Sequence, residues 1–283
     1  ASIPEFMERV AEVSAEHDGP PTSSLPTSMI GALSRFGVLC TALLSAGAAF
    51  AQPGPRLEVT VRAAAHAAPI TGRVYVAISR TSTAERGPIA QAGEVGTPLF
   101  GVDVEQLAAG QAAVIDANTF GHPVVSLRDI PAGEYWVQPF VNVYTKFARA
   151  DGRTIWAHMD QWEGQNWRRS PGNLFGAPTR VRIDPASTTP IRLMVDQVIP
   201  PIVVPADSGN VRRIKIQSAI LTKWWGHPIF LGAVVLLPKD YDKHPEAKYP
   251  IVYSHGHFSL RAPGVGATPY WNADGTPRMI IVT

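Results

Sequence analysis

The 283-residue chain has a single cysteine, Cys40. It lies in an apolar leader, so a mature protein cut after that leader contains none, and disulfides are excluded as its framework. A domain of this size can instead rely on a hydrophobic core. Basic runs are lacking too. The formal net charge is +2, and residues 52–283 carry 23 basic against 18 acidic side chains. No Lys/Arg stripe accompanies that excess, which argues against nucleic acid as a partner. No apolar stretch reaches the length of a membrane span. Between 57 and 199 there is no sustained helical period. What is abundant is Gly and Pro, 24 and 26 residues, a composition that favours many turns and β architecture.

Residues 29–51 read MIGALSRFGVLCTALLSAGAAFA. Arg35 supplies a positive n-region, 36–44 an apolar h-region, and Ala49-Phe50-Ala51 an A-x-A cleavage site before Gln52. This order predicts a signal peptide, hence export to the periplasm or the extracellular space and no membrane association after cleavage. Residues 1–28 are polar and acidic, a poor start for a leader. They read as a leader extension, either a cloning scar or an over-extended reading frame, with Met29 as the natural start.

From Leu57 onward apolar residues alternate. LEVTVRA and GRVYVAISR (72–80), AAVID (112–116), GEYWVQPFVNVY (133–144) and the stretch 179–199 all read as half-buried strands. In VVSLRDIPAGEYWVQPFV a strand is expected to end at Leu127, with Pro131-Ala132-Gly133 making the turn into an aromatic-rich strand. Residues 52–199 are therefore predicted to form an all-β sandwich. A long polar loop, 158–176, carries Trp162 and Trp167. Either these rings stack on a ligand such as a carbohydrate, or they plug the sandwich end or dock on the next unit. His158 and Asp160 lack a third ligand at suitable spacing, so no metal site is expected, and no cofactor is called for.

Residues 200–210, holding PPIVVPADSG, read as a Pro-rich linker. Beyond it VRRIKIQSAIL (211–221) alternates, IFLGAVVLLP (229–238) reads as its hairpin partner, YPIVYSHG (249–256) as a buried strand entering a loop, and PRMIIVT (277–283) as a fourth strand. Continuous apolar runs of this kind belong to sheets covered on both faces.

Tyr249-Pro250, Val252-Tyr253 and His255-Gly256 form a phrase that resembles the strand before the oxyanion loop in α/β-hydrolase esterases of the enterochelin-esterase and esterase-D-like group. The resemblance covers about residues 211–283. It implies a mixed fold, an all-β sandwich followed by the first strands of an α/β-hydrolase sheet, and a small-molecule ester as substrate. It also implies that the cleft-forming residues here are His255, Gly256, His257 and Phe258. Gly256 permits a sharp turn and close approach of backbone to ligand, and the N–H of His257 or Phe258 is the candidate first oxyanion donor. The imidazoles of His255 and His257 are read as hydrogen-bonding neighbouring loops rather than touching substrate, and the resemblance implies that neither is the catalytic base, since the family's base histidine comes late in the chain. No G-x-S-x-G occurs. Ser254 sits at the end of the oxyanion strand with no histidine after His257, so it is not the nucleophile. The catalytic triad is expected beyond Thr283, and this chain alone is expected to be inactive. The alternative is a non-catalytic β-sandwich module that binds glycan or cell wall through Trp162 and Trp167.

Overall fold

The computed structural model describes residues 54–83, 87–93, 96–162, 166–207, 209–254 and 278–283. The leader and His255, Gly256, His257 and Phe258 lie outside them. The described chain is mostly β, in several sheets with few helices.

In chain order the first strands are β1 (Leu57–Val61), β2 (Ile70–Ser79), β3 (Leu99–Leu107), β4 (Ala112–Ile115), β5 (Gly121–His122) and β6 (Gly133–Val143). There follow β7 (Thr145–Ala148), β8 (Thr154–Ala157), β9 (Leu174–Phe175), β10 (Thr179–Ile183), β11 (Ile191–Val195) and β12 (Gln197–Val198). A short helix α1 (Pro88–Gln91) crosses between β2 and β3. A three-stranded sheet has the order β11-β1-β4, and a seven-stranded sheet the order β12-β9-β6-β2-β3-β5, with β10 also on β6. One core lies between them: alternate residues of β1 (Leu57, Val59, Val61) face Val74, Val76 and Ile78 of β2 and Val137 and Val141 of β6. Full burial of such a side chain contributes about 1.5–3 kcal/mol, so the period-2 pattern fixes which face of each strand turns inward.

The turn before β6 is pinned by a side chain. Tyr135 donates its hydroxyl to the Pro131 carbonyl at 2.8 Å, and the Arg80 guanidinium lies 4.2 Å from the centroid of the same ring. Where the sequence predicts the end of a strand at Leu127 there is instead a 3-10 turn, Leu127–Asp129. Ser126 and Asp129 close it as a reciprocal capping box, which outcompetes extension.

The second set of strands is β13 (Val211–Gln217), β14 (Phe230–Leu236), β15 (Ile251–Tyr253) and β16 (Ile280–Val282), in the order β13-β14-β16-β15. β14 is antiparallel to both its neighbours, whereas β15 and β16 are parallel. Its core is separate: Ala233, Val235 and Leu237 pack with Ile280 and Val282, and Ile214, Tyr241 and Tyr249 border them. The alternation expected over 211–221 breaks at Ser218. The Ser218 hydroxyl accepts from the Leu221 N–H at 3.2 Å, capping helix α2 (Ala219–Trp225), and Gly226 ends it in the left-handed region at φ 62°. No helix among the described residues is long and apolar enough to cross a membrane.

Candidate functional site

The site grows from the outer face of β6 and the loop behind it. Asn142, on β6, and Asn173 are both buried, so each polar atom there needs a partner. Asn173 Oδ1 accepts the Val143 N–H at 2.9 Å, which fixes its amide orientation. Its Nδ2 then donates to the Trp167 carbonyl at 2.7 Å and to Asn142 Oδ1 at 3.1 Å. Because that atom of Asn142 accepts, the His158 Nδ1 facing it at 3.1 Å must donate. The buried amide pair thus sets the histidine tautomer: in the neutral ring the proton is on Nδ1 and the acceptor is Nε2.

His158 opens the segment 158–162, which runs along a cleft of about 800 Å³. On one side stand this segment and the β7–β8 hairpin. On the other stand the strand ends of the β13–β14 hairpin and residues of the 201–204 stretch. The register explains the second wall. Lys215 of β13 pairs with Gly232, whose missing side chain leaves room, and Phe230 is the diagonal neighbour on the same face. The Lys215 ammonium lies 4.5 Å from the Phe230 ring centroid and 4.8 Å from that of Trp162. Lys215 thereby links the two walls by cation–π contacts. Trp162 adopts φ 77°, a conformation a bulky L-residue rarely takes. It is held by Asp160 Oδ1, which accepts its backbone N–H at 2.6 Å.

The walls are clasped at one end. Phe147 of β7 meets Trp225 edge-on, with centroids 5.6 Å apart and an interplanar angle of 69°. The Ala150 N–H donates to the Trp224 carbonyl at 2.7 Å. The Arg149 guanidinium lies 5.3 and 5.6 Å from the Trp224 and Trp225 centroids. A Cβ on Gly226 would fall 2.2 Å from the Ala148 carbonyl oxygen, so the close approach requires glycine.

The two tryptophans singled out in the sequence go to different surroundings. Trp162 lines the cleft. Trp167 covers the outer face of the seven-stranded sheet, stacked on Tyr75 at 4.7 Å and edge-on to Phe140 at 5.0 Å. Burial, reinforced by the nearby Tyr144 phenol, pushes the Tyr75 phenol above the ordinary tyrosine range, with Arg73 pulling the other way. Ser254 follows β15 and donates its backbone N–H to the Val282 carbonyl at 2.8 Å. Among the described residues no group of three or more His, Cys, Asp or Glu side chains could hold a metal. Sequence reasoning misses Lys215 and Phe230. Their only signal is an i, i+2 face shared across a hairpin whose register is not written locally.

The cleft and the end of β15 are separate places. Tyr253 is level with Val282, and Val282 with Val235. At about 3.4 Å per residue and 4.8 Å per strand, Phe230 stands on the order of 20 Å from Tyr253. Compared with known protein families, curated proteins and solved structures, the chain gives no match.

Proposed function

We propose that residues 211–283 open the sheet of an exported serine carboxylic-ester hydrolase of the α/β-hydrolase type. The single observation that carries this reading is the strand order β13-β14-β16-β15 with β14 alone reversed. This is the order in which an α/β-hydrolase sheet begins, with the third strand outside the fourth. The parallel pair β15 and β16 is joined by residues 254–279, long enough for the crossover that parallel pairing demands. In such sheets ligands sit beyond the carboxyl ends of the strands, and the chain leaves β15 at that end through Ser254. In this reading the following loop supplies one oxyanion donor, and the nucleophile elbow and triad come later in the reading frame.

The test is hydrolysis of a small activated ester by the 283-residue chain and by a version continued past Thr283. Turnover is expected only from the longer protein. Turnover by the shorter chain that disappears in Ser254→Ala would overturn this assignment, as would a continuation without G-x-S-x-G. A second reading, a glycan-binding module, is favoured by one observation, the strained Trp162 on the cleft wall.

A further inference from the structure

We infer that the cleft between the β7–β8 hairpin and the β13–β14 hairpin binds an acidic oligosaccharide, with a uronic acid ring on Trp162 and its carboxylate at Lys215. This rests on the binding reading, and it is independent of ester hydrolysis because the cleft lies on the order of 20 Å from the end of β15.

Three observations converge. The first is strain. Trp162 is held at φ 77° by Asp160, and left-handed backbone on a bulky residue persists where the surroundings enforce it, most often at binding sites. A tryptophan serving only as a plug needs no such backbone. The second is charge. Lys215 is exposed, and among the described residues no carboxylate pairs with it. The ring faces of Trp162 and Phe230 position the ammonium but do not neutralise its charge. An incoming carboxylate would do so. The third is the polar lining. His158 and Asp160 are polar side chains of the cleft lining beside Trp162. A lining that mixes polar groups with an aromatic face suits the hydroxyls and the apolar face of a sugar ring better than an apolar ligand. A volume of about 800 Å³ is toward the upper end of the roughly 300–1,000 Å³ of ligand clefts, which fits more than one ring.

The experiment is calorimetric titration of the full chain with a galacturonic acid trisaccharide and with a neutral trisaccharide, alongside thermal unfolding of each variant. The acidic sugar is expected to bind about fivefold tighter, as one exposed ion pair allows, with the margin shrinking in high salt. Lys215→Met should bring the two sugars level. Trp162→Gly should abolish binding of both while leaving Tm unchanged or raised, because glycine relieves the left-handed backbone. A preference that survives Lys215→Met, or neutral sugar bound as well as acidic, overturns the acidic assignment and spares the binding reading. Absence of binding by either sugar, or a lowered Tm in Trp162→Gly, overturns both.

Discussion

Replacing Gly226 with alanine tests the clasp between the β7–β8 hairpin and α2. Two costs add. An L-residue in the left-handed region costs about 1–2 kcal/mol. The new Cβ also starts 2.2 Å from the Ala148 carbonyl oxygen. A backbone oxygen cannot rotate away, so α2 and the hairpin must separate. That separation weakens the Ala150–Trp224 hydrogen bond, worth about 1 kcal/mol net, and the Phe147–Trp225 edge contact, worth about 0.5–1.5 kcal/mol. The expected loss for Gly226→Ala is therefore up to about 2.5–4.5 kcal/mol. Gly172→Ala is the control, since Gly172 has φ 83° and nothing within 4 Å of its would-be Cβ. It should lose only the backbone term. Its φ lies further from the left-handed minimum than that of Gly226, so this control does not understate the strain. Urea unfolding followed by tryptophan fluorescence would give both values. If Gly226→Ala loses no more stability than Gly172→Ala, the clash is relieved without cost and the clasp does not hold as described.

The buried amide pair gives a second expectation: Asn173→Asp, nearly isosteric, should destabilise about as much as Asn173→Ala. An oxygen in place of Nδ2 faces the Trp167 carbonyl and Asn142 Oδ1 without a proton to donate, so two hydrogen bonds are lost, about 1–3 kcal/mol together, readable as urea midpoints. For Tyr75 the sign is that of a raised acid. The unfolded chain ionises first, so its contribution is full below the ordinary tyrosine pKa and is lost as pH rises through the higher folded value. Phenolate absorbance of Tyr75→Phe against the parent should lack one late-titrating tyrosine, while Tyr144, also raised by burial, still titrates late; an early-titrating one missing instead would contradict the burial argument.

The β-rich architecture is legible where one face of a strand is buried and the other wet. β1 alternates buried and half-buried along its whole length, and the Pro131-Ala132-Gly133 turn is where the sequence puts it. β3 is not legible, because only Phe100 and Leu107 along it are buried, so its period is faint although it pairs along most of β2. The β7–β8 hairpin escapes sequence reading despite Asp151-Gly152 at its tip, with Gly152 at φ 81°, a strong hairpin signal. Its strands are too short to show a period. Helix α2 is hidden for the opposite reason. Ala219, Ile220 and Leu221 continue an apolar run, and only Ser218 before it and Gly226 after it mark a helix. The parallel pairing of β1 with β11, which sets Leu57 beside Ile191, 134 positions along the chain, has no local signal at all.

The cleft is half legible, and its missing half has a physical explanation. Trp162 stands out as an aromatic in a polar loop, but Lys215 becomes meaningful only after two hairpins meet. That meeting also couples fold to ligand. Phe147 and Ile155 of the β7–β8 hairpin line the cleft, and Trp225 and Phe230 line it from the other side; Phe147 and Trp225 are also the clasp. A ligand that touches both walls binds only the clasped state, so its apparent dissociation constant rises as the clasped fraction falls. By linkage the same ligand must strengthen the clasp. Gly226→Ala should therefore weaken acidic-sugar binding without touching a single lining side chain, and saturating sugar should recover part of the stability that the substitution removes. Equal affinity in Gly226→Ala and Gly172→Ala, measured at a temperature where both are folded, would mean that the β13–β14 wall and the 158–162 loop hold the ligand without the clasp.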